Sequence, residues 1–135
     1  MKKEEIYAML PKAKHDLFLV DCLKSLKEEE IKQIIPELIS WIADANWPVA
    51  NPIADILLKY PLLIEPYIEK HLSACEEDDE LKYNIISLIL PRLPIKVQKR
   101  LIILIERICT NPTKAESYGS FEMAQHYFEE YKLML

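Results

Sequence analysis

The stretch Asp44-Ala45-Asn46-Trp47-Pro48-Val49-Ala50 predicts a tight turn between two helices. Asn46 is a favourable N-cap, because its side-chain oxygen can accept a hydrogen bond from a free N–H in the first turn of the next helix. Trp47 and Pro48 would occupy that first turn, where the missing N–H of proline costs little. Pro52 follows, and it predicts either a kink or a late start of the helix. So short a connection predicts antiparallel helices that bury their apolar sides against each other.

The segments on both sides of this turn have the apolar spacing of helices. The segment before it carries Leu38, Ile39, Trp41 and Ile42. The segment after it carries Val49, Ala50, Ile53, Ala54, Leu57 and Leu58. Each segment therefore presents one apolar face for packing.

Two residues of the turn are open to more than one interpretation. Trp47 is either a half-buried residue that packs on a neighbouring helix or an exposed anchor for a partner, since tryptophan is enriched in interface hot spots. Asp44 is more readily explained as a residue that caps the turn than as an acid catalyst.

Length and composition indicate a single all-helical domain spanning residues 1–135. A chain of this length can bury roughly two-thirds of its unfolded surface, so it needs no disulfides. It contains one glycine and nine prolines. So little glycine argues against β-hairpins, phosphate-binding loops and dinucleotide-binding motifs, whereas the prolines fit as breaks between helices.

The formal charge of −5 disfavours nucleic acid as a partner, because neutralising phosphates requires a basic face. Cys22, Cys75 and Cys109 are odd in number and widely spaced, which is typical of reduced cysteines in a cytoplasmic protein. We expect no signal peptide and no membrane span, because the longest apolar run covers only residues 101–105.

Further helices are predicted along the rest of the chain. Their expected ranges are residues 2–9, 17–23, 26–35, 62–74, 81–90 and 95–109, followed by a last helix. The regular part of this last helix starts either before Gly119 or, if Gly119 delays it, at Ser120. Asp16 is expected to cap the second helix, and Ser25-x-x-Glu28 and Thr113-x-x-Glu116 match the capping box. At Pro36 the chain either kinks or starts a new helix. Tyr83 is expected to point inward with Ile86, Ile89 and Leu90.

An internal repeat is visible between the block from Asp44 to Ile53 and the block from Asp78 to Ser87. Helix pairs that repeat in this way bury their faces on their neighbours and build α-solenoids. The repeat predicts a short superhelix of antiparallel helix pairs. An acidic run of residues 76–80 is expected to form a solvated turn, since it lacks the glycine and alternating ligands of a calcium loop.

Several motifs together resemble a known family. They are Lys14-His15-Asp16, the block from Pro36 to Ala50, Leu81-Lys82-Tyr83, and Glu106-Arg107-Ile108 followed by Asn111-Pro-Thr-x-x-Glu116. This combination resembles an uncharacterised bacterial family that is catalogued as domain of unknown function 5071. The resemblance implies a HEAT-like fold over nearly the whole chain, and it implies no activity.

The sequence predicts no catalytic residue, no cofactor site and no metal site. It has no HExxH motif, no closely spaced cysteine pair and no glycine-rich loop. Glu106 and Arg107 form the best candidate polar cluster: Arg107 either pairs with Asp44, Glu116 or another acid, or it binds a carboxylate or phosphate of a partner. The candidate residues for partner binding or for structural motifs are Asp44, Asn46, Trp47, Lys82, Tyr83, Glu106, Arg107, Thr113 and Glu116.

Two functions from different classes follow. The first is a non-enzymatic HEAT-like protein-binding module with a protein partner, and one version of it is an immunity or antitoxin-like protein that binds a basic toxin. The alternative is a nucleic-acid-binding or repair enzyme on a helical-repeat scaffold, for which Arg92, Lys96, Lys99, Arg100 and Arg107 would supply the basic face. A self-associating scaffold is a third possibility, and the sequence leaves the oligomeric state open.

Overall fold

The computed structural model describes residues 2–44, 46–74 and 78–135. Within these ranges the chain is helical and has no β-strand, which confirms the all-α class. Ala45 of the predicted turn, Cys75, and Glu76 and Glu77 of the acidic run lie outside the described residues. The helices are α1 (Lys3–Tyr7), α2 (Leu17–Leu23), α3 (Glu28–Ile31), α4 (Ile35–Ser40), α5 (Ala50–Leu57), α6 (Pro61–Ser73), α7 (Asp79–Asn84), α8 (Ile95–Thr110) and α9 (Ser120–Met134).

The chain divides into two compact units, residues 1–64 and 65–135. Each unit contains fully buried aliphatic side chains, among them Leu38 and Ile53 in the first and Ile89 and Ile105 in the second. No helix in the described ranges is long and apolar enough to cross a membrane.

In the first unit, α5 packs against both α2 and α4. A 3-10 turn at Lys32–Ile34 separates α3 from α4, and α4 begins at Ile35 with Pro36 in its first turn. A new helix therefore starts there, which was one of the two alternatives at Pro36. Helix α5 begins late, at Ala50, so that Pro52 falls in its first turn and removes no helical hydrogen bond.

None of the three side-chain caps predicted in this unit, at Asp16, Ser25 and Asn46, forms as expected, and those at Asp16 and Ser25 fail for a local reason. Asp16 occupies the N-cap position of α2, but its Oδ2 atom accepts hydrogen bonds from the N–H groups of Lys12 and Ala13, at 2.6 and 2.9 Å. The carboxylate thus closes the preceding loop and leaves the helix N–H groups to other partners.

The capping box predicted at Ser25 and Glu28 does not form. The hydroxyl of Ser25 donates to the carbonyl of Cys22, 2.7 Å away, because that carbonyl at the end of α2 is the nearer partner. Helix α3 begins at Glu28 instead, and the Glu30 carboxylate accepts a hydrogen bond from the N–H of Lys27.

In the second unit, α7 runs into a π-helical turn at Ile85–Ile89 and a 3-10 turn at Leu90–Arg92. The regular helix predicted over residues 81–90 is therefore wrong in its second half. Pro91 supplies a reason, because proline has no N–H for an α-helical bond to Ser87 and its ring clashes with that carbonyl. Tyr83 in the regular part of this segment is 37% exposed while Ile86 and Ile89 are buried, so the inward placement of Tyr83 is wrong.

Helices α8 and α9 pack against each other, and α9 also contacts α7. Helix α9 starts at Ser120, which was one of the two alternatives for it, and Asp79 of α7 caps it: the N–H of Ser120 donates to Asp79 Oδ1 at 3.1 Å. Gly119 permits this approach, since a Cβ atom at residue 119 would lie 3.2 Å from Asp79 Oδ2.

Two isoleucines of α8 offer a matched test of the core in the second unit. Ile105 is 0% exposed and Ile103 is 67% exposed. We expect Ile105→Ala to lower the free energy of unfolding by about 2–5 kcal/mol, because it removes buried methyl groups and leaves a cavity. Ile103→Ala should change it by less than about 0.5 kcal/mol. Urea titrations followed by circular dichroism measure both, and equal losses would contradict the burial described here.

Candidate functional site

A buried ionic cluster lies in the second unit, centred on Glu116. Lys82 projects from α7, and its Nζ lies 2.6 Å from Glu116 Oε2. The same ammonium donates to the carbonyl oxygen of Ala74, also at 2.6 Å. The side chains of Lys82 and Glu116 are each 1% exposed, so the two charges meet away from water.

Arg107 of α8 completes the cluster with a two-pronged contact. Its guanidinium donates to both oxygens of Glu116, and the Nη2–Oε2 distance is 2.8 Å. Nη2 also donates to the carbonyl of Leu72 in α6, at 3.1 Å. The side chain of Arg107 is 30% exposed, so one edge of the cluster reaches solvent. Arg107 thus pairs with Glu116, which is one of the acids named for it from the sequence.

The cluster also contains a capping box, and this prediction is confirmed. The N–H of Thr113 donates to Glu116 Oε1 at 2.8 Å, and the N–H of Glu116 donates to Thr113 Oγ1 at 3.1 Å. The box opens the 3-10 turn at Glu116–Tyr118, which precedes α9. One carboxylate therefore closes a turn and binds two cations.

The environment of Glu116 favours its ionised form. Burial by itself opposes ionisation, but hydrogen bonds from Arg107, Lys82 and the N–H of Thr113 outweigh it and hold the pKa of this carboxyl at about 2. The carboxylate is thus charged at neutral pH and is fully engaged. Such a group is well suited to holding helices together and poorly suited to taking up a proton in catalysis.

Not every candidate residue on these helices joins the cluster. Glu106 is exposed, and its backbone carbonyl accepts a hydrogen bond from Thr110. The ring of Tyr83 lies next to Gly119. Sequence reasoning named Lys82 only through the family resemblance, and its buried position follows from the neighbouring buried residues Leu81 and Asn84.

The predicted turn lies in the first unit, and it forms differently from the prediction. The N–H of Asn46 donates to Asp44 Oδ1 at 2.9 Å, so Asp44 caps the turn. Asn46 is not the N-cap of α5: Val49 holds that position, without a side-chain cap. The reason is that the N–H of Val49 donates to the carbonyl of Lys14 at 3.2 Å, which holds the chain in a loop until Ala50.

Trp47 packs within this turn against Trp41. The two ring centroids are 5.6 Å apart and the rings meet edge to face at 62°. Both side chains are half-buried. The contact explains Trp47 as a packing residue, because edge-to-face aromatic pairs stabilise a fold by more than the burial of their area alone. Its role as an anchor for a partner stays a prediction.

A groove in the second unit was not anticipated from the sequence. It has a volume of about 400 Å³, and its apolar walls are Ile86, Pro91, Met123 and Met134. The groove forms because two irregular turns before α8, one π-helical and one 3-10, replace a regular helix beside α9. No local signal in the sequence indicates how far these turns lie from α9.

Hydrogen bonds tie the floor of the groove together. Tyr127 lines it, and its hydroxyl donates to Oε1 of the buried Gln98. The Nε2 of Gln98 donates in turn to the carbonyls of Leu93 and Pro91, at 2.8 and 3.3 Å. Burial, assisted by Tyr131, raises the pKa of Tyr127, so this phenol stays neutral. The remaining polar lining comes from Ser87, His126 and Glu130.

Two other groups in the second unit, the guanidinium of Arg100 and the thiol of Cys109, have environments that limit their reactivity or charge. Arg100 binds Glu65 through two hydrogen bonds of 2.7 Å, whereas Lys96 and Lys99 are exposed. Burial, followed by the nearby carboxylates of Glu106 and Glu129, raises the pKa of the Cys109 thiol. A thiol shifted in this direction is a poor nucleophile at neutral pH.

The fold and the cluster define an all-helical protein in which Lys82, Arg107 and Thr113 meet around the buried carboxylate of Glu116. The family described as Domain of unknown function (DUF5071) matches residues 9–127, and the chain belongs to this family. The matched range contains the turn at Asp44, the ionic cluster and part of the groove, whose residues Glu130 and Met134 lie beyond it. No match was found among curated proteins.

The ionic cluster generates a stability prediction with a matched control. Glu116→Gln should lower the free energy of unfolding by about 3–5 kcal/mol, because it leaves the charge of Lys82 buried without compensation. Glu129→Gln, which removes an exposed pair with Lys132, should cost no more than about 1 kcal/mol. Urea unfolding of both variants measures these two losses in the free energy of unfolding. Lys82→Met combined with Glu116→Gln should cost less than the sum of the single changes, and strict additivity would show that the two side chains are not coupled.

The depressed pKa of Glu116 also predicts how stability depends on pH. Its folded-state pKa of about 2 lies below the ordinary value of 4.5, so the ionised carboxylate stabilises the fold fully above pH 4.5. The contribution, about 3 kcal/mol, is lost as the pH falls from 4.5 towards 2. Carboxyl ¹³C NMR of Glu116 follows its titration, and urea unfolding from pH 7 to pH 2.5 follows stability. A midpoint near 4.5 for this carbon would contradict the charge network.

Proposed function

We propose that this protein is a non-enzymatic protein-binding module, built from HEAT-like helix pairs. The observation that carries the proposal is the apolar groove formed by Ile86, Pro91, Met123 and Met134. Preformed concave sites with apolar walls and few polar groups are where proteins bind ligands. Methionine side chains adapt their shape to a partner, which suits a surface that binds protein segments.

The surface next to the groove supports a protein partner over a small molecule. Leu133 and Leu135 flank Met134 in the sequence, and they are 82% and 70% exposed. Exposed apolar side chains this near to Met134 in the chain offer a partner more contact area than a cavity of about 400 Å³ does. The engaged state of Glu116 and the raised pKa of Cys109 favour binding over catalysis, since neither group is set up for acid–base or nucleophilic work.

A specific version of this proposal is an immunity or antitoxin-like protein that acts in the cytoplasm and binds a basic partner. The formal charge of −5 supports it, because opposite charge speeds association. The thiols of Cys22 and Cys109 are free, which fits a reducing compartment. This version predicts that the association rate falls as salt is added, and a rate independent of salt would count against it.

The alternative of a nucleic-acid-binding protein has less support. Two members of its basic face, Arg100 and Arg107, donate to the carboxylates of Glu65 and Glu116 and are thereby neutralised. Filter binding of duplex DNA at low salt tests it, and retention of DNA by the wild type with loss in Lys96→Glu/Lys99→Glu would favour it over protein binding.

We expect a tagged pull-down from lysate of the source organism to retain a protein that a matched acidic helical bait does not. Met123→Arg should release it, because the larger charged side chain fills the groove. Lys96→Glu/Lys99→Glu should retain it, since these exposed residues of α8 do not line the groove. Circular dichroism checks that each variant folds.

The possible outcomes test the binding function and the location of the binding site separately. A partner lost only with Lys96→Glu/Lys99→Glu keeps the binding function and moves it to α8. If the wild type retains nothing beyond the acidic bait, the proposed function fails.

A further inference from the structure

The charged lining of the groove is acidic only, and the proposed function does not explain this. Glu130 is its acidic lining residue, and the lining within the described part of the chain contains no lysine or arginine. His126, one helical turn before Glu130 on α9, completes the polar side. The apolar walls therefore lie beside a single negative charge.

Glu130 differs from its neighbour Glu129 in a way that matters for binding. Glu129 pairs with Lys132 at 3.0 Å and does not line the groove. Glu130 is exposed and makes no ion pair among residues 2–44, 46–74 and 78–135. An acidic group at the edge of an apolar groove, with no internal cation, is available to a cation from outside.

We propose that this groove binds a basic amphipathic segment of a partner protein. Apolar side chains of the segment enter between Met123 and Ile86, and a lysine or arginine about one helical turn away pairs with Glu130. The aliphatic stem of that residue lies along Pro91 or Met134 while its charged head reaches the carboxylate. This inference rests on the proposed function and names the chemistry of the partner.

The chemistry of the groove and of the whole chain points to the same occupant. A volume of about 400 Å³ is near the lower end for ligand sites, so it suits the anchoring side chains of a segment. The formal charge of −5 attracts a basic segment at longer range and repels an acidic one. An anionic membrane surface would be repelled for the same reason.

Three synthetic peptides of equal length test the proposal on the full chain. The first carries leucine on one helical face and lysine on the other, the second replaces lysine with glutamate, and the third replaces leucine with serine. Methyl ¹³C NMR of Met123 and Met134 reports on the groove, and calorimetry gives affinities. The leucine–lysine peptide should bind at least tenfold more tightly than the other two and should shift both methyl signals.

Variants of the two neighbouring glutamates distinguish binding at a specific site from general attraction to an acidic protein. Glu130→Gln should weaken the leucine–lysine peptide about two- to fivefold, the range of a solvent-exposed ion pair, and Glu129→Gln should leave it unchanged. Equal weakening by both variants overturns the assignment of Glu130. If the leucine–glutamate or the serine–lysine peptide binds equally well, the proposed chemistry of the partner is wrong. If the methyl signals do not shift, the peptide does not bind in the groove and the proposed site is wrong.

Two further outcomes identify other occupants or other sites. Concentration-dependent dimerisation that shifts the same methyl signals without peptide shows that a second copy fills the groove, and it overturns the proposal. If the lysate partner survives Met123→Arg while the leucine–lysine peptide does not bind, the protein-binding function stands and the groove assignment falls. If the peptide binds but no lysate protein is retained, the site stands and the proposed function fails.

Discussion

The second unit depends on one carboxylate that cannot reach water. Glu116 accepts hydrogen bonds from Lys82, Arg107 and the N–H of Thr113, and these come from three separate elements of the chain. Each cation also holds a backbone carbonyl, Lys82 that of Ala74 and Arg107 that of Leu72. A buried charge of this kind is stable only with its full set of partners, because desolvation otherwise exceeds the attraction. The network therefore constrains where the end of α6, α7 and α8 can lie relative to the turn before α9.

The sequence predicted the regular helices well and their ends poorly. Apolar periodicity placed α8 almost as it is, because a helix with a strong apolar face folds as the packing requires. The caps at Asp16 and Asn46 were wrong, since short polar side chains and the backbone groups beside them bind the nearest partner, and loop geometry decides which one that is. The π-helical turn at Ile85–Ile89 also escaped prediction, although Pro91 indicated that the helix would be disrupted.

The ionic cluster was partly predictable, and sequence distance explains which part. Thr113 and Glu116 are three residues apart and match a local capping motif, and Arg107 is close enough in the chain for a nearby acid to be expected. Lys82 lies 34 residues from Glu116, so no periodicity connects them. The groove depends on the same kind of long-range information, because Ile86 and Met123 become neighbours only when the π-helical turn at Ile85–Ile89 packs against α9.

The cluster and the groove are connected through the start of α9. The capping box at Glu116 opens the 3-10 turn that leads to Gly119, and Ser120 then receives its cap from Asp79. The position of α9, and with it one wall of the groove, follows from these contacts. A largely buried network thus sets the geometry of one wall of the groove. Residues such as Arg107 and Glu116 can therefore be essential to the fold without touching a ligand, and Glu130, for which a partner contact is proposed, lies beyond the range matched by the family.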